Sequence, residues 1–274
     1  MRVTLLGSGS EGNSTLVEAE GVGLLIDAGF SGRDIEERLQ RIDIAPESLA
    51  GIVITHDHGD HTRGMGVLAR RFGIPLYLTP RTAQACAPLL TGEERLIEYV
   101  SSQTFRIGPL EVHPFLTVHD AVDPVAITVH HPASGAKMGI ATDLGRPTTA
   151  VRAALARCHV LILEANHDET LLWRSAYPWS VKQRIASSHG HLSNRASAGL
   201  LRELYHPALV AVALAHLSQQ CNDAGLARRV VEKALERLGY RGWIDVARQD
   251  RPSETLDIND MRRKGRVAEQ LTLL

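Results

Sequence analysis

A chain of 274 residues that is 44% hydrophobic can fill one large core or two fused layers, so length alone does not require a second domain. A formal net charge of -1 excludes a global basic field of the kind that gathers nucleic acid, leaving only a local basic groove, and 4% aromatic content argues against a sheet of base-stacking aromatics. Cys86, Cys158 and Cys221 are far apart and odd in number, which excludes a disulfide framework or a Cys metal knuckle and predicts a reducing, cytoplasmic setting. Met1-Arg2-Val3-Thr4-Leu5-Leu6 is too short for a secretory or membrane segment and reads as a first strand. Residues 2–6, 15–19 and 22–27 form three expected strands with Gly-rich turns, 33–41 a helix, and 50–54 a strand. A helix is expected over 62–72, a strand over 76–78, and a further helix opened by Thr79-Pro80. Residues 95–131 are strand-rich and interrupted by Pro109, Pro114 and Pro124.

A second half-pattern follows: a strand from Lys137 ending at Asp143, helix 148–157, and the apolar strand Val160-Leu161-Ile162-Leu163 ending in Glu164. Residues 194–204 are expected to be helical with Ser193 as N-cap, 209–214 a buried strand ending at His216, and 222–238 a helix closed by Gly239. Buried strands interleaved with helices predict an α/β (αββα) arrangement: two facing mixed sheets with helices outside, both sending polar strand ends to one rim. The body is expected to span 1–247, and 248–274 to be a polar C-terminal tail ending in an apolar peptide.

Chemistry concentrates in Thr55-His56-Asp57-His58-Gly59-Asp60-His61, directly after the apolar run Gly51-Ile52-Val53-Ile54. A polar turn draws on Gly, Asn and Ser and does not need three imidazoles, so the pattern points to a metal centre. His56 and His58 can turn to one ion while Asp60 and His61 reach another, and imidazole with carboxylate suits Zn, Mn or Fe. His119, Asp143 and His216 each follow an apolar run and can meet the cluster at the same rim. A dinuclear site needs a bridging carboxylate, and Asp143 is the candidate at the end of a central strand.

These residues resemble the metallo-beta-lactamase-fold hydrolases, most nearly the WalJ-like (YycJ) branch, whose members are described as nucleases or phosphodiesterases. The shared segments are Gly7-Ser8-Gly9-Ser10-Glu11-Gly12-Asn13-Ser14, Asp27, the 55–61 cluster, Val118-His119-Asp120-Ala121, Thr142-Asp143, Glu164-Ala165-Asn166-His167-Asp168, Gly190-His191-Leu192-Ser193-Asn194 and His216-Leu217-Ser218. The resemblance implies one divalent metal on His56, His58 and His119 and another on Asp60, His61 and His216, bridged by Asp143. Zinc or manganese are the candidates, with iron a further one. Asp27 would orient a ligand imidazole, its alternative role being to start the turn before Gly29.

Such a pair of ions implies a bridging hydroxide nucleophile, with Asp60 orienting it and accepting its proton. His191 is the candidate general acid, its alternative being to pack the Gly190 turn. Ser193 and Asn194 open a helix whose N-terminus offers N–H groups to a phosphate, and His167 is a second phosphate or acid candidate, backed by Glu164 or Asp168. The resemblance implies DNA hydrolysis by a 5'-to-3' exonuclease. A small-molecule or nucleotide phosphodiesterase is the alternative within hydrolases, and a regulatory or scaffold protein with a degenerate site the alternative outside them. No inserted nucleic-acid clamp is visible between His61 and His119, so short or end-bound DNA is expected, with Arg33, Arg63, Arg70, Arg71, Arg81, Lys182, Arg184 and Arg195 as candidate groove residues. Finally, Gln270-Leu271-Thr272-Leu273-Leu274 resembles the peptide that docks bacterial polymerases and repair proteins on the sliding clamp, with Leu274 where Phe is common.

Overall fold

The computed structural model describes the backbone of residues 1–272 and the side chains of residues 1–265. The peptide 270–274 therefore lies outside the residues whose side chains are described. The first sheet is built from β1 (Arg2–Gly7), β2 (Ser14–Ala19), β3 (Val22–Ile26), β4 (Leu49–Val53), β5 (Leu76–Leu78) and β6 (Leu96–Glu98). The second takes β7 (Phe105–Ile107), β8 (Leu110–Leu116), β9 (Val125–His131), β10 (Ala136–Ala141), β11 (Val160–Glu164), β12 (Ala211–Ala215) and β13 (Trp243–Val246). A short β14 (Leu256–Asp257) returns to pair with β1, so each sheet has seven strands.

Side-chain alternation assigns the layers. Val3, Leu5, Ile26 and Val53 from the first sheet meet Val129, Ile140, Val160 and Ile162 from the second in a core between the sheets. Each such side chain contributes about 1.5–3 kcal/mol of burial free energy. The alternate residues point outward and are covered too. Leu6, Leu16 and Ile52 pack beneath α1 (Gly32–Gln40) and, after α2 (Gly59–Thr62), α3 (Met65–Phe72). Beyond α4 (Pro80–Ala85), α5 (Thr149–Leu155) covers the outer face of the second sheet. After α6 (Glu169–Arg174) and α7 (Trp179–Ile185), α8 (Asn194–Leu204) and α9 (Ala224–Glu236) complete that cover over Leu161, Leu163 and Leu214. Burial on both faces explains why β11 and β12 read as unbroken apolar runs. This is the αββα arrangement expected.

The segment after residue 247, expected to be a tail, is joined to the body through its first part. Gln249 Nε2 donates to the Gly12 carbonyl at 2.9 Å, and Ser253 N to the Leu5 carbonyl at 2.8 Å. Leu256 and Ile258 are buried in the inter-sheet core, and α10 (Ile258–Thr272) follows. Leu256 and Asp257, in register with Val3 and Arg2, cover the edge of β1. Among the described residues, no helix is long and apolar enough to cross a membrane.

Candidate metal centre

Parallel strands that end together place their next residues at one rim. Asp27 follows β3, His56 lies three residues past β4, Asp143 follows β10 closely, Glu164 ends β11 and His216 follows β12. Asp27, Asp143 and His216 all adopt left-handed backbone, with φ of 61°, 54° and 55°. That conformation costs a non-glycine residue on the order of 1–3 kcal/mol and turns the chain sharply, so each strand ends by aiming its side chain into the rim. Asp60 and His61 come from the short α2, with His58 immediately before it. Gly29 makes this loop possible, since a Cβ there would overlap the Asp60 carbonyl.

Hydrogen bonds select which nitrogen each imidazole offers. His56 Nδ1 lies 3.0 Å from Thr55 Oγ1, His61 Nδ1 2.8 Å from Asp27 Oδ2, His119 Nδ1 3.2 Å from the Gly190 carbonyl and His216 Nδ1 2.7 Å from Glu164 Oε1. All four are thereby turned to present Nε2. His58 is reversed: its Nε2 faces the Asp120 carbonyl at 3.3 Å, leaving Nδ1 toward the site. The Asp27 carboxylate also accepts from Thr55 N and Oγ1, so it holds a ligand imidazole and the start of the cluster together.

The potential ligand atoms fall into three overlapping groups, one of them Asp143, Glu164, His191 and His216, and two without Glu164. Ligand atoms of His56, His58, His119 and Asp143 lie within 4.8 Å of one another, as do those of Asp60, His61 and His216. Asp143 faces both, with Oδ1 3.5 Å from His119 Nε2 and Oδ2 3.1 Å from His61 Nε2. His56 Nε2 and Asp143 Oδ2 are buried without a hydrogen-bond partner. His58 Nδ1 and His119 Nε2 face each other at 3.3 Å although each ring's other nitrogen is already engaged. Lone pairs oriented this way, with buried polar atoms left over, fit cations held between the two groups. Burial, then His61, pushes His56 well below the usual imidazole range, so it stays neutral. Burial opposes charge on Asp143, but His216 and His61 hold it well below the usual carboxylate range.

Glu164 is fully buried and organises a third element. Its Oε1 accepts from His216 Nδ1 and, at 2.9 Å, from His191 Nδ1, as well as from Asp143 N at 3.2 Å. Its Oε2 accepts from Leu144 N at 3.0 Å and Leu192 N at 2.9 Å. A carboxylate committed to so many donors orients ligands rather than binding an ion. Burial raises its pKa, but His191 and His216 outweigh that and hold it at about 2. The His191 Nδ1 contact leaves Nε2 for a cleft of about 440 Å³, which His191 lines with His58, Asp60, Asp120, Asp143 and His216. Gly190 serves close packing here, since a Cβ would overlap the Arg184 and Ile185 carbonyls. A larger cavity of about 540 Å³ lies near the opposite ends of β12 and β13 and holds none of these carboxylates.

Four expected site residues are placed otherwise. Ser193 Oγ accepts from Ala196 N as the N-cap of α8 and donates to Glu169, and Asn194 Nδ2 donates to Asn222 Oδ1 at 2.8 Å. Both are buried and neither lines the cleft. His167 is buried outside the cleft lining, its backbone bridged to Ser193. Asp168 caps α6 through Thr170 N and Leu171 N. In their place stand residues whose roles were not read from sequence. Asn13 Nδ2 donates to Asp60 Oδ2 at 3.1 Å, Ser8 Oγ accepts from His216 N at 2.8 Å, and Asn166 Nδ2 donates to the His216 carbonyl at 2.9 Å. Tyr177 and Arg184 enter the cleft from the α6–α7 segment. The Ser-Gly-rich start of the chain was the signal for Ser8 and Asn13, Asn166 lies in a segment already singled out, Arg184 was expected as a groove cation, and nothing local marked Tyr177.

The family model of the metallo-beta-lactamase superfamily matches residues 7–146. The chain belongs to this superfamily. It is 32% identical over 244 residues to the exodeoxyribonuclease YycJ of Bacillus anthracis, covering 88% of this chain and 91% of that one. It is 32% identical over 260 residues to the exodeoxyribonuclease WalJ of Streptococcus pneumoniae serotype 2, covering 93% and 95%. This supports placement in the WalJ-like branch. The solved structure of the metallo-beta-lactamase fold protein YhfI from Bacillus subtilis shares the fold, with a TM-score of 0.71 at 17% identity, over 92% of this chain and 99% of that one.

Proposed function

We propose that the chain is a dinuclear metal-dependent phosphodiester hydrolase that trims DNA from an end. The observation that carries this is Asp143, whose two oxygens face two groups of ligand atoms, with its Oδ2 and His56 Nε2 buried and unpartnered, beside an open cleft that also holds His191. His56, His58 and His119 would hold one divalent ion and Asp60, His61 and His216 the other, with Asp143 between. Zinc or manganese are the candidates, with iron a further one. Such ions, when bound, supply Lewis-acid polarisation of phosphoryl oxygens and acidify water. The choice of DNA rests on the relatives named exodeoxyribonuclease.

The chain's own groups then divide the work. Burial would raise Asp60, but His61 and His216 hold it far below the usual carboxylate range, so it stays ionised and suited to binding a cation and orienting the water beside it. Burial opposes charge on His191, yet Glu164 raises its pKa above the ordinary value, which keeps Nε2 protonated and able to donate to a leaving oxygen. Arg184 at the cleft wall supplies positive charge for the phosphate that Ser193 and Asn194 were expected to bind. The C-terminal peptide Gln270-Leu271-Thr272-Leu273-Leu274 would dock on a sliding clamp and bring the enzyme to DNA undergoing repair.

The deciding assay offers the metal-loaded protein bis-p-nitrophenyl phosphate, a thioester, a cephalosporin and end-labelled oligonucleotides with 5'-phosphate or 5'-hydroxyl. Release of mononucleotides starting at the 5' end is expected. Cleavage of the thioester alone would overturn the reading, and cleavage of small phosphodiesters without oligonucleotides would make it a small-molecule phosphodiesterase.

A further inference from the structure

A cavity of about 540 Å³ lies at the end of the second sheet away from the metal centre. Val210 lines it and precedes β12, while His216 follows the same strand, so roughly 20 Å of extended chain separates the two sites. The cavity floor is the open end of the apolar layers. Val210, Trp243 and Met261 pack on the core between the sheets, and Tyr205 packs on the layer beneath α8 and α9. Trp243 and Tyr205 are half-buried and line the cavity, so each ring keeps part of its surface toward it. Tyr240 stands edge-on to Tyr205, with centroids 6.2 Å apart and planes at 88°, and its hydroxyl donates to the Trp243 carbonyl at 2.8 Å. The two open rings are thereby held on one connected support.

The loop Gly239-Tyr240-Arg241-Gly242 forms one wall. A Cβ at Gly242 would overlap the Tyr240 hydroxyl and the Val210 carbonyl, so glycine is what lets this loop approach β12. The Arg241 guanidinium is exposed at the cavity and makes no hydrogen bond or ion pair with any described residue. On the α10 wall, Arg262 Nη1 donates to the Ser134 carbonyl at 2.9 Å, and Lys264 pairs with Asp260 of its own helix at 2.8 Å. Among the described residues, no aspartate or glutamate lines the cavity.

α10 also keeps space open. Gly265 lies in the middle of this helix, where glycine costs about 1 kcal/mol against alanine. Crowding does not demand it, since a Cβ there would meet only Val210 Cγ1, at 3.9 Å. A longer side chain at 265 would instead grow over Val210 into the cavity.

We propose that this cavity is a binding site for a nucleoside monophosphate, with the phosphate on Arg241 and the base against Tyr205 and Trp243. Cationic donors without acidic neighbours select an anion, and half-open aromatic rings select a planar apolar body. A bounded volume in the range of small-ligand sites selects one small molecule rather than an extended chain. Every base has a π-face, so purines and pyrimidines should both bind. The proposal uses no group of the metal centre and stands apart from the hydrolase reading. Under that reading, the ligand belongs to the chemical class that trimming an end releases.

The test titrates full-length, metal-loaded protein with dAMP and dTMP by calorimetry, comparing wild type with Arg241→Glu, Arg241→Lys and Gly265→Leu. Deoxyadenosine, inorganic phosphate, a tetraglutamate peptide and dodecanoate are titrated beside them. Wild type is expected to bind both nucleotides saturably, and Arg241→Glu to lose about 10- to 100-fold of that affinity, the range of a hydrogen bond to a charged group. Arg241→Lys should restore part of the loss, and Gly265→Leu should weaken binding with every charge in place. All three variants should keep wild-type hydrolysis of bis-p-nitrophenyl phosphate and at least the wild-type Tm. Deoxyadenosine and phosphate should each bind at least about 10-fold more weakly than dAMP. No saturable binding by wild type would overturn the proposal. Identical titrations of wild type and all variants would place the nucleotide in the metal cleft and overturn it too. Phosphate binding as tightly as dAMP, or tighter binding by the peptide or dodecanoate, would give the cavity to a different ligand and overturn the nucleotide assignment. Variant-sensitive nucleotide binding by a wild type inert on every phosphodiester would support the cavity and sink the hydrolase reading.

Discussion

Glu164 Oε1 lies 2.7 Å from His216 Nδ1, and this one contact fixes which nitrogen His216 turns toward Asp60. The same oxygen accepts from His191, so one buried carboxylate positions a ligand imidazole and the candidate acid together. Glu164→Gln keeps the shape but cannot accept from both rings as a charged group. Metal affinity, measured by chelator competition, is expected to fall about 10- to 100-fold. Wild-type affinity in this variant would remove Glu164 from the centre.

The same residue gives a pH dependence. Its folded pKa of about 2 lies below the ordinary 4.5, so it stabilises the fold above the unfolded value. That contribution is lost as pH falls from about 4.5 toward 2. The metal-free wild type should therefore lose Tm through this window, and Glu164→Gln should begin less stable by about 2–3 kcal/mol and show a shallower loss. Parallel Tm curves would contradict the assignment.

His191→Ala is expected to keep both metals and bind substrate, yet slow oligonucleotide cleavage roughly 10²–10⁴-fold. The deficit should shrink on bis-p-nitrophenyl phosphate, whose leaving group needs no proton. Because Glu164 raises the pKa of His191, wild-type activity that depends on this acid is present below the raised value and declines as pH rises through it. Equal deficits on good and poor leaving groups would leave only a binding or packing role.

The three thiols are buried, and burial pushes Cys86 up to about 11 and Cys158 up to about 12. Folded protein at pH 8 is expected to react with a thiol reagent only as it unfolds. One fast equivalent per chain would show an accessible cysteine.

A labelled peptide covering residues 262–274 should bind purified sliding clamp with an affinity on the order of micromolar, and Gln270→Ala/Leu273→Ala should abolish it. Equal binding by the control removes the clamp and leaves the catalytic reading untouched.

The sequence was most informative where chemistry is local. Three imidazoles and two aspartates after an apolar strand are legible because the spacing alone forces them together. His119, Asp143 and His216 were legible because each follows a buried strand, and parallel strand ends share a rim. Ser193 shows the limit. A helix N-cap is readable from sequence, but which cavity that helix start faces depends on packing, and here it faces Glu169 and the Asn222 loop. α6 and α7 went unread because each has only one buried apolar residue, Leu172 or Ile185, too few to make a helical period. β14 is two residues long and is defined by its partner β1, which no local pattern reveals.

The central claim is most directly tested by Asp143→Ala. Metal content by inductively coupled plasma mass spectrometry and hydrolysis of a labelled oligonucleotide would be measured on the same preparations. Wild type is expected to hold close to two ions per chain, in line with a two-metal site, and to cleave; the variant should hold fewer and be inactive. A fully loaded Asp143→Ala protein with wild-type turnover would contradict a centre built around that carboxylate.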